Sequence, residues 1–377
     1  MLPDWFPGPI PMYNRRPRVR KIIHLRQRRD LRGCIQELSR VGGRPVRVLP
    51  HLGVVIGEFL QTGDSYSLEG HPDVAHWEPD IQVTLSDPFV GEISRNIPSI
   101  PWGVQEIGAH KTWRYTKGRG VKVAVVDTGI ANDHVAVQGN YKGGVNIISP
   151  MFTPYDYNGH GTHVAGIIAG RSEELGILGV APRVHLYAVK AFNRRGSASL
   201  SDLLSAINWC IENRMDIINM SFGMVKVSDS LRQAIQTAYR RKIVMVAASG
   251  NQGSNGNIDY PARFDETIGV TATGKDGKLA SFSNTGAGVD LAAPGDKITS
   301  CWLNGVTREM SGTSMAVPHV SGTAALLLYL KPDLSPDQLR QLFTQGGVPV
   351  SGHDGYRRLN AHHSVQLLAR YMGRFIP

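Results

Sequence analysis

From Val121 onward, short apolar runs alternate with segments whose apolar residues recur at helical spacing, and no other feature of the chain restricts its fold so strongly. The runs are VKVAVV, HLYAVKAF, DIINMSF, IVMVAAS and TIGVTAT; the helical patterns are HVAGIIAG, LSDLLSAINWCIEN, DSLRQAIQTAYRR and TSMAVPHVSGTAALLLYL. A strand that is apolar on both faces must be covered on both. This order therefore predicts an α/β domain, a mostly parallel sheet with helices on both faces. Such a sheet places its chemistry just past the carboxyl ends of its strands.

A smaller unit precedes it. Residues 19–25 (VRKIIHL) read as a strand, and Leu31, Cys34, Ile35, Leu38 and Val41 keep helical spacing. VRVLP and GVVIGEF read as strands, a short helix is expected around Pro72–Trp77, and IQVTL as the closing strand. The order β-α-β-β-α-β is that of a small α+β domain. The stretch SDPFVGEISRNIPSIPWG is rich in Pro, Gly and Ser without periodicity and reads as an extended linker. The organisation expected for these 377 residues is a Pro/Arg-rich tail at 1–17, the small domain at 18–95 and the large domain at 96–377.

Hydrophobic residues at 41% and charged residues at 19% exclude a largely disordered chain. No apolar run reaches the length of a membrane span, and the first 20 positions lack the apolar stretch of a signal peptide. Localisation stays open: cytoplasmic for the chain as written, secreted if a segment precedes it. Cys34, Cys210 and Cys301 are far apart with no CxxC, against a disulfide framework or a cysteine-built zinc site. The net charge of +10 is dense only in residues 1–32, with nine Lys and Arg against Asp4 and Asp30. A solvated tail is the plain expectation for such a run, polyanion binding the alternative, and nucleic acid is not the expected partner.

Four short stretches carry candidate chemistry. Asp127-Thr128-Gly129 follows VKVAVV directly; alone, the acid would read as a turn cap. In Asn158-Gly159-His160-Gly161-Thr162-His163, flanking glycines leave His160 approachable, although a helix-capping segment would look similar. Zinc held by His160 and His163 is a rival reading, but the spacing is HxxH, the Glu of HExxH is absent and no carboxylate cluster adds a third ligand. Ser314, within SGTSMAVPH, opens an apolar helix, where free N–H groups and the helix dipole favour an oxyanion. It is not a GxSxG elbow, because position 316 is Ala and the candidates run in the order Asp, His, Ser. Asn251, between glycines after IVMVAAS, offers an amide that stabilises an oxyanion without adding charge.

Together these supply an acid, a base, a nucleophile and an oxyanion donor. VAVVDTGI, NGHGTHVAG, INMSFG, AASGNQG and SGTSMAVPHVSG resemble the subtilisin-like serine peptidases over about residues 100–345, and residues 18–95 resemble their inhibitory propeptide. The resemblance implies a serine endopeptidase working through an acyl-enzyme, with Asp127, His160 and Ser314 as triad and Asn251 in the oxyanion hole. It implies that Ser221, Phe222, Gly223, Ala247, Ala248 and Ser249 line the pocket for the residue before the cut bond (P1). Specificity is then broad with a preference for large apolar P1, although Met224 stands where glycine is common. It implies a zymogen that removes its own propeptide between about Ser94 and Ile100, with protein and peptide substrates and that propeptide as partners, and no membrane. No cofactor is needed for the chemistry. A structural calcium at Arg171–Ile177 (Glu173, Leu175, Ile177) is expected to be weakened, because Glu173 replaces a usual Asn and Ala136 a partner aspartate.

Overall fold

The computed structural model describes residues 18–26, 35, 38, 43–60, 68, 71, 73–85, 89–93 and 100–374, which form two compact units that divide after Asp80. The first is a four-stranded antiparallel sheet of β1 (Arg18–Leu25), β2 (Arg44–Leu49), β3 (Val54–Leu60) and β4 (Val74–Pro79), in the order β2-β3-β1-β4. One face buries Ile23, Leu25, Leu38, Val55, Phe59, Leu68 and Val74. Part of the basic run is structural: the Lys21 ammonium lies 3.5 Å from the centre of a Trp77 ring, and Arg20 pairs with Glu58 at 3.0 Å. Residues 1–17 and most of the helix expected at 31–41 lie outside the described residues.

Two expectations need correction. The described residues of the segment expected as a helix around Pro72–Trp77 are not helical; Val74–Pro79 is β4 and pairs with the central strand β1. Its β-branched and aromatic residues, Val74 and Trp77, favour a pleated surface, and that preference outweighs the helix-start signal of Pro72. IQVTL, read as the closing strand of the small domain, belongs instead to the second unit. There it forms β5 (Gln82–Thr84), and the stretch read as a linker contains β6 (Phe89–Ile93).

Along the second unit follow α1 (Trp102–Glu106), α2 (Ala109–Thr112), β7 (Lys122–Asp127), β8 (Tyr141–Asn146), α3 (His160–Ala169), β9 (Arg171–Ser172) and β10 (Ile177–Leu178). Next come β11 (His185–Lys190), β12 (Ser197–Ser199), α4 (Leu200–Glu212), β13 (Ile217–Met220), α5 (Asp229–Tyr239), β14 (Val244–Ala248) and β15 (Ile268–Thr273). The chain ends with β16 (Leu291–Pro294), β17 (Ile298–Cys301), β18 (Thr307–Ser311), α6 (Thr313–Leu330), α7 (Pro336–Gly346), β19 (Val348–Val350), β20 (His353–Arg358) and α8 (Ala361–Tyr371).

Nine of these strands make one sheet, β19-β20-β16-β15-β14-β13-β7-β11-β8, parallel except for the β19–β20 pair. The five apolar runs read from the sequence are β7, β11, β13, β14 and β15, all central. Helices α3 and α6 are buried on nearly every side, which is why they are apolar all round rather than amphipathic. No helix among the described residues is long and apolar enough to cross a membrane.

Candidate active site

The carboxyl ends of β7, β13 and β14 and the first turns of α3 and α6 supply the groups that the sequence singled out. Asp127 ends β7 fully buried, its Oδ1 accepting the Thr128 N–H at 2.7 Å. His160 opens α3, with Nδ1 at 2.8 and 2.9 Å from the two Asp127 carboxylate oxygens. The turn into α3 needs glycine: Gly159 has φ 109°, and a Cβ there would lie 2.5 Å from the Trp302 ring. Burial disfavours charge on the His160 ring, but attraction and hydrogen bonding from Asp127, with the charge of Asp156 added, outweigh it and raise its pKa.

Asp156 was not anticipated. It is buried and accepts the N–H groups of Asn158, Gly159 and Thr162 at 2.8, 3.0 and 3.0 Å and the Thr162 hydroxyl at 2.7 Å, so it fixes the start of α3. The signal available was an acid shortly before a helix start. Lys190, at the end of β11, was also missed; its buried ammonium donates to the Thr128 carbonyl behind Asp127.

Ser314 lies in the first turn of α6, 1% exposed. Its hydroxyl donates to the Ser221 carbonyl at 3.0 Å, and the Ser221 hydroxyl donates to the Ser314 carbonyl at 2.9 Å. Asn219 donates to Ser221 Oγ, and Ser321 donates to Asn219 Oδ1, both at 2.9 Å. These bonds lock the start of α6 to the end of β13. The His160 Nε2 is buried with no hydrogen-bond partner. Rotation about one bond would redirect the Ser314 hydroxyl, and apo sites commonly leave such a contact to form with substrate.

Asn251 is oriented by its oxygen: Oδ1 accepts the Thr313 N–H at 2.8 Å and the Thr313 hydroxyl at 2.9 Å. That leaves Nδ2 buried with no partner, a donor waiting for an acceptor. Ser221, Phe222, Gly223, Ala247, Ala248 and Ser249 are all buried, and Phe222 packs on Phe192 with ring centres 5.3 Å apart. None of the six is charged, yet a further missed residue, the buried Asp259, stands against Gly223 and Gly250.

The zinc reading does not survive the contacts. His163 Nε2 lies 3.0 Å from both the Ile298 and Arg308 carbonyls, which makes it a donor, and burial pushes its pKa down to about 3. No group of three His, Cys, Asp or Glu that could hold a metal occurs among the described residues. The calcium segment does not offer a carboxylate cage either. Arg171–Ser172 and Ile177–Leu178 close on each other as an antiparallel pair, Ser172 Oγ accepts the Leu175 N–H at 3.2 Å, and the Glu173 carbonyl accepts the Gly176 N–H at 3.0 Å. Ala136 contributes only its carbonyl, which accepts the Arg171 N–H at 2.8 Å. These residues do not fit a strong calcium site.

The model of the subtilase family matches residues 118–349. Subtilisin DY of Bacillus licheniformis is 44% identical over 246 residues, 64% of this chain and 89% of that protein. Subtilisin Savinase of Lederbergia lenta is 43% identical over 245 residues, with the same two shares. M-protease of Shouchella clausii is 40% identical over 289 residues, 76% of this chain and 72% of that protein.

Proposed function

The chain belongs to the subtilase family and is a serine endopeptidase, and from that premise we propose that Asp127, His160 and Ser314 are its catalytic triad and Asn251 its oxyanion donor. The observation that carries the assignment is His160, held by Asp127 through Nδ1 while its buried Nε2 has no partner. In the proposed reaction Ser314 Oγ attacks the peptide carbonyl as Nε2 takes its proton. Asn251 Nδ2 and the Ser314 N–H receive the oxyanion, and the imidazolium gives the proton to the leaving amine. Water then cleaves the acyl-enzyme by the same relay. Mass spectrometry after a fluorophosphonate tests this; a label anywhere but Ser314 defeats the assignment.

The second part of the proposal is a zymogen in which residues 18–95 form an inhibitor that the enzyme removes itself, between Ser94 and Ile100. Support comes from the chain that follows the small unit. β5 pairs antiparallel with β12, and the Leu85 N–H donates to the Gly196 carbonyl at 2.8 Å. Val83 and Leu85 are buried while Gln82 and Thr84 are exposed, the alternation of a peptide bound as an added strand. β6 then pairs with β18, whose last residue, Ser311, opposes Phe89 and leads through Gly312 into α6. Residues 94–99 lie outside the described residues. The Ser314→Ala chain should stay full length while active protein yields residues 96–377, and added 18–95 polypeptide should inhibit that fragment. Cutting of the Ser314→Ala chain at the same place would mean an outside protease.

Backbone recognition along β12 would give this reading its breadth at the positions before P1. Taken alone, the uncharged walls 221–223 and 247–249 favour a large apolar P1 side chain.

A further inference from the structure

Two walls flank Ser314. One is Ser221–Gly223, whose first carbonyl holds the Ser314 hydroxyl; the other is Ala247–Ser249, which leads through Gly250 to Asn251. A carboxylate stands against both. A Cβ on Gly223 would lie 2.7 Å from Asp259 Oδ2, and a Cβ on Gly250 would lie 2.6 Å from the same oxygen. Asp259 is tied to the second wall by its N–H, which donates to the Ser249 carbonyl at 3.0 Å, and the next residue, Tyr260, pairs with Met224 beside the first. Gly223 is not among the residues with positive φ, so closeness to the carboxylate, rather than backbone conformation, is what excludes a side chain there.

Asp259 is 4% exposed, and none of the ion pairs among the described residues includes it. Burial pushes its carboxyl pKa up, and a hydrogen bond from Gln252 acts against that shift. A buried carboxylate without a counter-ion is costly, and a cation brought to it recovers much of that cost. In this position the cation can arrive on the substrate.

We infer that Asp259 determines specificity at P1 and that this endopeptidase cleaves after Lys or Arg, the aliphatic stem lying between the two uncharged walls and the cationic head meeting Asp259. The inference rests on the reading of Ser314 as nucleophile given above. The chain's own sequence fits it: residues 48–94 contain no Lys or Arg, so β5 can lie along β12 without offering a preferred P1 residue. Arg95 is the single Lys or Arg in residues 48–110, and it falls inside the window proposed for self-removal, which places that cut between Arg95 and Asn96.

Val-Thr-Leu-Xaa p-nitroanilides, copying Val83–Leu85 before the varied residue, test this with Xaa as Lys, Phe or Glu. The Lys peptide should have the highest kcat/KM, and Asp259→Asn should lower the Lys-to-Phe ratio roughly ten- to a hundredfold, the range for loss of a charge-assisted hydrogen bond. Benzamidine, a small aromatic cation, gives a measurement without substitution; it should inhibit the wild-type enzyme competitively. The amino terminus of the self-matured enzyme should be Asn96, and Arg95→Ala should slow maturation. A Lys-to-Phe ratio unchanged in Asp259→Asn, or a preference for Phe with no inhibition by benzamidine, overturns the inference alone. Hydrolysis of none of the peptides, together with no fluorophosphonate label on Ser314, takes down the assignment of Ser314 as nucleophile and the inference with it.

Discussion

At the scale of single residues, the orphaned nitrogens set the expectations. Asn251→Ala should lower kcat by about 10²–10³, the loss known for an oxyanion amide of this family, while KM changes little, because Nδ2 meets the oxyanion and not the ground-state carbonyl. A change confined to KM would mean that Asn251 only shapes the cleft. His160 must be neutral to act as base, and its pKa is raised from the ordinary 6.5 by Asp127 and Asp156 against the opposing effect of burial. Activity is therefore lost as pH falls through that raised value, so the acid limb of kcat/KM should lie above pH 6.5, and Asp156→Asn should move it downward. An acid limb unmoved in that variant would separate Asp156 from the electrostatics of the site. Asp127, His160, Asn251 and Ser314 were legible because each sits beside a recognisable strand end or helix start. Lys190 and Asp259 were not, because the folded sheet brings their neighbours near, whereas Asp156, whose partners Asn158, Gly159 and Thr162 lie within six residues, looks like any acid ahead of a helix start.

At the scale of elements, the five apolar runs could be read as strands because central strands of a parallel sheet are covered on both faces and mostly apolar, as in β13 and β14, which are buried throughout. β4 was misread because a six-residue segment after a proline carries signals for both a helix start and a strand, and pairing with β1 decides between them. β5 and β6 were hidden for another reason: their partners, β12 and β18, lie far along the chain. The β9–β10 hairpin leads to a metal prediction. It closes through its own backbone pairs and the Ser172 hydroxyl, so a chelator should shift the Tm of the enzyme only slightly. A large calcium-dependent rise traced to residues 171–178 would show that Glu173 and the loop carbonyls make a competent site after all.

At the scale of the whole molecule, buried histidines couple stability to pH. His163 and His319 have their pKa values lowered by burial to about 3 and about 4 from the ordinary 6.5. Between those values and 6.5 the unfolded chain binds protons that the folded chain refuses, so stability present above pH 6.5 is lost progressively as pH falls. The urea midpoint should be lower at about pH 4.5 than at about pH 7, and a midpoint independent of pH across that span would remove the two imidazoles as the cause. The antiparallel pairs β5–β12 and β6–β18 bear on behaviour in solution. On the proposed maturation, loss of β5 and β6 would strip two strand edges of their partners and leave rows of backbone donors and acceptors open. The mature enzyme would then become adhesive toward extended chains in general, its own neighbours included. Sedimentation should show it associating as concentration rises while the Ser314→Ala chain stays monodisperse, and equal behaviour of the two would mean the edges close by themselves. Release of activity and loss of colloidal stability would on this view be a single event, which gives the segment that restrains the enzyme a second duty as the cover that keeps it soluble.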